Sequence, residues 1–304
     1  MADEPALETT SWRIVVFTNM PGGMVYSMVD EVVRPLGHRI VGVVTSPGPK
    51  RRRSPTYLEV VAAVAPGVDV IVSNHPARWA AMLLPLQPDL IVSGGFPWRL
   101  PADVLALPRL GAINFHDALL PRHRGPNATG WVLRAGDAET GLTVHRLTPE
   151  FDAGPILAQA RVPITDDDDW STVLPKFTAL VPGLLHRALE RVARGESGDP
   201  QDESQATEAG LFEDAWRVID WSQPARTIHN QVRSWIGLRD IPPGALGQID
   251  GETLHITRTR FLPADPGDRE PAPPGTIVRR DGDHLVVQSG DGPIEILTWR
   301  AHEG

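Results

Sequence analysis

From Arg13 to Phe115 the chain alternates short apolar runs with stretches of helical period, and this alternation leaves few folds open. Arg13–Phe17 (RIVVF), Arg39–Val44 (RIVGVV), Val68–Val72, Leu90–Ser93 and Ala112–Phe115 read as strands. Tyr26–Pro35, Tyr57–Ala65 and Ala77–Leu86 read as the helices between them. The strands are apolar along their length instead of alternating with polar residues, the pattern of strands covered on both faces. Helices that separate such strands return the chain to run in the same direction, so the expectation is an α/β fold with an open, mostly parallel sheet. Further on, Thr129–Ala135 and Trp170–Arg194 read as helices, and Leu142–Leu147 and Ile156–Val162 as strands.

Residues 195–210 (GESGDPQDESQATEAG) are polar and poor in aromatics, the composition of a linker. Beyond them the texture changes. Ser222 before Pro224 reads as a helix N-cap. Short segments at Leu254–Thr257, Thr276–Arg279, Leu285–Gln288 and Ile294–Leu297 are then separated by Gly, Pro and Asp turns, as in a small antiparallel barrel or sandwich. The expected division is a lead-in at 1–11, a first domain at 12–194, a linker at 195–210 and a C-terminal β-barrel domain at 211–304.

Composition removes several classes of function. There is no cysteine, hence no disulfide, thiolate metal site or cysteine nucleophile. No apolar run is long enough to span a bilayer, and the acidic start MADEPALETTS is not a secretory signal. A cytoplasmic protein with no membrane partner is expected. The net charge of −9 speaks against a broad nucleic-acid footprint, and no DNA partner is expected. The turn Pro21-Gly22-Gly23 matches neither a dinucleotide fingerprint nor a phosphate loop.

The chemistry-bearing residues concentrate in Gly111–Gly125 (GAINFHDALLPRHRG) and Leu147–Pro155 (LTPEFDAGP). Asn114 and His116 alternate at the C-terminal end of a strand, where ligands of such sheets bind, and a strand turns both side chains to one side. Asp152 arrives from a later turn. An amide donor, an imidazole and a carboxylate are the parts needed to steady a developing oxyanion and move a proton. No Ser or Cys nucleophile accompanies them, so a substrate amine or water attacks the acyl group directly. The four acids Asp166–Asp169 are consecutive, which suits a solvated helix start better than a metal site, and His75, His123, His145 and His229 lack metal-ligand spacing. No metal is expected.

The set Asn114-Phe-His116, Leu119-Leu120-Pro121-Arg122, Arg124-Gly125, Gly136-Asp137, Glu139-Thr140-Gly141 and Asp152-Ala-Gly154, with 36 residues from His116 to Asp152, resembles the formyltransferase family that uses 10-formyltetrahydrofolate. Ile219-Asp220-Trp221-Ser222-Gln223-Pro224-Ala225, with Ile228-His229-Asn230 and Gly275–Val278, resembles the C-terminal domain of methionyl-tRNA formyltransferases. The resemblance implies a Rossmann-like formyltransferase fold with an OB-like C-terminal barrel, and N-formylation in one-carbon metabolism. It implies 10-formyltetrahydrofolate as formyl donor, with Asn114, His116 and Asp152 as catalytic residues. It further implies that the donor is held, largely through backbone groups, at Phe96, Trp98 and Leu100, at Leu119 and Pro121, and at Thr148, Pro149 and Glu150.

Three departures bear on the acceptor. Ala118 stands where the family usually has Ser. Thr18–Gly23 replaces the usual turn after the first strand, and Thr45–Pro55 (TSPGPKRRRSP) is shorter than the basic loop of the methionyl-tRNA enzymes. The run Lys50–Arg53 reads equally as a solvated loop or as a contact for an anion such as a folate polyglutamate tail, a nucleotide phosphate or tRNA. From Ala206 to Gly304 there are 10 Arg and no Lys against 15 acids, a poor balance for clamping tRNA. The expected acceptor is therefore a small-molecule amine such as an amino sugar or amino-acid derivative. Initiator tRNA is the second reading, and water, as in a formyltetrahydrofolate hydrolase, the third.

Overall fold

The computed structural model describes residues 11–49, 55–237, 244–262 and 272–301. The lead-in, apart from Ser11, and the Lys50–Arg53 run lie outside the described residues. The chain divides into two compact units, one of residues 1–124, 141–160 and 179–207, the other of residues 125–140, 161–178 and 208–304.

A seven-stranded sheet is built from β1 (Arg13–Thr18), β2 (Arg39–Thr45), β3 (Asp69–Val72), β4 (Leu90–Gly94), β5 (Ala112–His116), β6 (Glu139–Arg146) and β7 (Ile156–Pro163), in the order β3-β2-β1-β4-β5-β6-β7. The pairs β1/β2, β2/β3, β1/β4 and β4/β5 are parallel, and β6 runs antiparallel to β5. The expected α/β architecture is thus present. The buried runs behave as their composition requires: all of β4 and nearly all of β1 are sealed from solvent. Helices α1 (Met24–Val33), α2 (Thr56–Ala63), α3 (Trp79–Leu83) and α4 (Ala102–Leu105) connect the parallel strands. Phe17, Trp79 and Phe96 meet edge to face at centroid distances of 5.1–5.9 Å in the core of the first unit. The strand order reverses between β1 and β4, and the crevice beyond the C-terminal ends of strands at such a switch point is where ligands of these sheets bind.

Helices α5 (Ala128–Ala135), α6 (Trp170–Ala193) and α7 (Ala225–Ser234) follow. The C-terminal strands β8 (Ala245–Ile249), β9 (Glu252–Phe261), β10 (Ile277–Asp281), β11 (His284–Gln288) and β12 (Pro293–Ala301) form a five-stranded antiparallel sheet in the order β10-β11-β12-β9-β8. Asp250-Gly251 turns β8 into β9 with both residues at positive φ (51° and 81°), the two-residue hairpin turn that Asp-Gly favours. Ile228 and Val232 of α7 pack with Trp221, Ile256, Val287 and Ile296 in this unit's core.

Two local expectations differ from the structure. Ser222 does not cap α7: its backbone N–H and hydroxyl both bond to Asp220, and Asp291, from the β11–β12 turn, accepts the Ala225 N–H at 2.7 Å. A side chain distant in sequence has replaced the local cap. Nor are Asp166–Asp169 merely solvated. Asp169 accepts from the N–H groups of Ser171 and Thr172 at the start of α6, Asp166 pairs with Arg226, and Asp168 is buried on Lys176 at 2.7 Å. The stretch 195–210 is tied down as well. Asp199 exchanges two backbone hydrogen bonds with Ile156, and Arg191 binds Asp199 and Glu196.

Candidate active site

Asn114 and His116 stand at the C-terminal end of β5, two residues apart and therefore on one side of the strand. Because β6 is antiparallel to β5, His145 lies opposite Asn114 in register. Asp152 comes from the turn after β6. Its φ of 49° is in the left-handed region, and the turn packs tightly on the end of β6 because residue 154 has no side chain: a Cβ there would lie 1.9 Å from the Arg146 carbonyl oxygen. The three residues singled out from sequence are thus brought together, and a fourth joins them.

His116 is buried, and its Nε2 lies 2.8 Å from the His123 carbonyl oxygen. A carbonyl only accepts, so Nε2 carries the hydrogen. Nδ1 then faces Asp152 Oδ2 at 3.4 Å. Both ring nitrogens of His116 look at acceptors. His145 is fully enclosed. Its Nδ1 donates to the Arg146 carbonyl at 2.8 Å, and Nε2 lies 3.3 Å from Asn114 Nδ2 and 3.5 Å from Asp152 Oδ1. A neutral His145 therefore accepts from Asn114 through Nε2 and fixes which way the amide points. The Asp152 carboxylate sits between two imidazoles at distances somewhat longer than a charge-assisted hydrogen bond.

In the sequence His145 stands out only as a histidine without metal-ligand spacing. Its placement depends on strand register, which spacing alone does not reveal.

The residues expected to hold the donor are placed as follows. Leu100 lies in the core with Phe17 and Trp79, Phe96 and Trp98 pack against that cluster, and Trp98 Nε1 donates to Ser46 Oγ at 2.8 Å. These side chains are occupied internally, which leaves the backbone of 95–100 for a ligand. The Leu119–Pro121 segment is held by Thr143, whose hydroxyl donates to the Ala118 carbonyl at 2.6 Å, and by Gln159, whose amide donates to the Leu120 carbonyl at 3.0 Å. Thr148 Oγ1 donates to the Glu150 carbonyl at 3.2 Å, and Pro149 and Glu150 are exposed. An amide, two imidazoles and a carboxylate around one point, with no nucleophile, suit a one-carbon carbonyl that an amine attacks.

Comparison with known proteins agrees with this chemistry. Residues 13–189 match the family described as Formyl transferase, and residues 213–304 match Formyl transferase, C-terminal domain. A methionyl-tRNA formyltransferase of Chloroflexus aggregans is 34% identical over 291 residues, covering 93% of this chain and 91% of the relative. Among solved structures, HypX from Aquifex aeolicus in complex with tetrahydrofolic acid superposes with a TM-score of 0.66 at 19% identity, over 97% of this chain and 45% of that one. WlaRD, a sugar 3N-formyl transferase, superposes with a TM-score of 0.64 at 14% identity, over 97% of this chain and 99% of that one. At those identities the superpositions speak for the fold alone, but the sequence matches go further: the chain belongs to the formyltransferase family and is an enzyme of formyl transfer from formyl-tetrahydrofolate.

Proposed function

We propose that this formyltransferase formylates the amino group of a methionyl-tRNA. The observation that carries the acceptor is the extent of the likeness to methionyl-tRNA formyltransferases, which runs through both the catalytic and the C-terminal family regions. The small-molecule acceptor expected from the sequence rested on net charge, and a net count says little about local patches. Arg258 and Arg260 alternate along β9, and Arg279, Arg280 and Arg300 are likewise exposed on strands of the same sheet. Several of them face carboxylates, as Arg260 does Glu295, so a phosphate backbone would have to compete for them.

The donor, when bound, supplies an electrophilic carbonyl and a nitrogen leaving group. The second amide hydrogen of Asn114, beyond the one directed at His145, and the Nδ1–H of His116 hold the charge that develops on the carbonyl oxygen as the amine adds. Asp152, which faces Nδ1 of His116, receives through water the proton that the attacking amine loses. That proton returns to the departing nitrogen, so one C–N bond forms, one breaks and no net proton is consumed. His145 keeps the Asn114 amide oriented.

The test is formylation from 10-formyltetrahydrofolate with charged initiator tRNA, nucleotide-linked amino sugars, free amino acids and water in parallel. Formyl-methionyl-tRNA as the preferred product, with binding that weakens steeply as salt rises, is the expected result. A formylated amino sugar with tRNA untouched, or folate release with no amine present, would replace this reading with one of the other two.

A further inference from the structure

Between α6 and the C-terminal domain, the chain returns to the candidate active site and touches both groups that face His116. Gln201 donates through its amide nitrogen to the carbonyl oxygens of Asp152 (2.7 Å) and Gly154 (2.8 Å), bridging the two ends of the catalytic turn. Its amide oxygen accepts from Arg124 Nε at 3.0 Å and Nη2 at 2.7 Å. The guanidinium of the buried Arg124 also binds Glu203 in a two-pronged pair at 2.9 and 2.7 Å. Further on, Thr207 Oγ1 accepts from the His123 N–H and the Thr207 carbonyl accepts from the Arg124 N–H, each at 2.8 Å. His123 is the residue whose carbonyl takes the Nε2–H of His116.

Both groups that face His116 therefore come from residues in the left-handed region, Asp152 at φ 49° and His123 at φ 61°. Such conformations are strained and persist where the surroundings over-determine them. We infer that the segment 199–207 is a brace for catalysis, in which Gln201 and Thr207 are positioning residues that set the reach of Asp152 and of the His123 carbonyl to His116. The inference rests on the reading of His116 and Asp152 as catalytic. The residue types fit the task. A neutral amide is able to donate to two carbonyls while accepting from an arginine; a carboxylate of the same size would keep Arg124 and lose both donors. Glu203, with an exposed side chain, anchors the outer end.

The test uses the full chain with Gln201→Glu and Thr207→Val, Thr207→Ser as the conservative variant and Glu203→Gln as the outer control. Three quantities are read: the thermal midpoint, kcat and KM for 10-formyltetrahydrofolate and amine, and the titration of the His116 ring by NMR, whose titratable neighbours are Asp152 and His145. We expect kcat to fall by about 10- to 10²-fold in Gln201→Glu and Thr207→Val, as for small displacements of reacting groups. KM should stay near wild type, the His116 titration should move, and Thr207→Ser should restore both. Should Gln201→Glu fail to fold, Thr207→Val against Thr207→Ser decides. Wild-type kcat with an unmoved titration would overturn the brace, as would a loss confined to KM or one that follows thermal stability alone. A wild-type chain that transfers no formyl group, with variants that still move the His116 titration, would overturn the catalytic reading and with it the brace's part in catalysis, leaving Gln201 and Thr207 only as residues that position Asp152 and the His123 carbonyl.

Discussion

Gly154 and the carbonyl of Arg146 approach so closely that no other residue fits at 154: a Cβ there would fall 1.9 Å from that oxygen and 2.8 Å from its carbon. The contact seats the turn bearing Asp152 against the strand bearing His145. Gly154→Ala must push the turn off β6 by about an ångström, and a displacement of that size is able to cost about 10²-fold in rate. Steady-state kinetics should show the fall in kcat, with a smaller loss of thermal stability.

His116→Ala and Asp152→Asn address the charge on the developing oxyanion. Each should lower turnover by about 10²–10³-fold while circular dichroism stays that of the wild type. An Asp152→Asn enzyme that formylated at the wild-type rate would remove the carboxylate from the mechanism.

Two groups of the second unit make its stability depend on pH in the acid range. Burial drives the His229 pKa down, helped by the charges of Arg233 and Arg226, against the Asp166 carbonyl that its Nε2 faces at 2.8 Å. A depressed histidine binds fewer protons folded than unfolded. Its contribution is therefore complete above the ordinary histidine value and lost as pH falls below it. For Asp168, burial pushes upward but is outweighed by hydrogen bonds from Lys176, Thr165 and Thr172, leaving the pKa at about 2. That stabilisation, about 2 kcal/mol, holds above the normal carboxylate range and vanishes as pH approaches 2. Denaturant titrations should show a first loss below pH 6.5 that is absent in His229→Gln and a second below pH 4 that is absent in Asp168→Asn.

Asp291→Ala removes the acceptor for the Ala225 N–H at the start of α7. The expected cost is about 1 kcal/mol in urea denaturation, the usual worth of an N-cap, whereas Ser222→Ala should cost less because its hydroxyl binds Asp220.

Much of this architecture was legible in the sequence because apolar runs such as Arg13–Phe17 and Leu90–Ser93 must be buried on both faces. Asn114 and His116 were legible for a related reason, since a period of two on one strand fixes their common side. What escaped depends on contacts distant in sequence. His145 needed the β5/β6 register, Asp291 needed the return of the β11–β12 turn to α7, and Gln201 sat in a stretch whose polarity reads as solvated chain. Polar composition looks the same whether the hydrogen-bond partners are water or backbone carbonyls. The net charge of the C-terminal residues points to a small acceptor where the relatives point to tRNA, and a sum carries no position.

The antiparallel pairing of Asn114 with His145 has a corollary. Adding one residue inside β6 would rotate the imidazole to the opposite side of the sheet and extinguish the chemistry. Lengthening the connection between the two strands would leave their ladder untouched. Insertions in that connection would alter the surface beside the candidate site while Asn114 and His145 stay opposite each other.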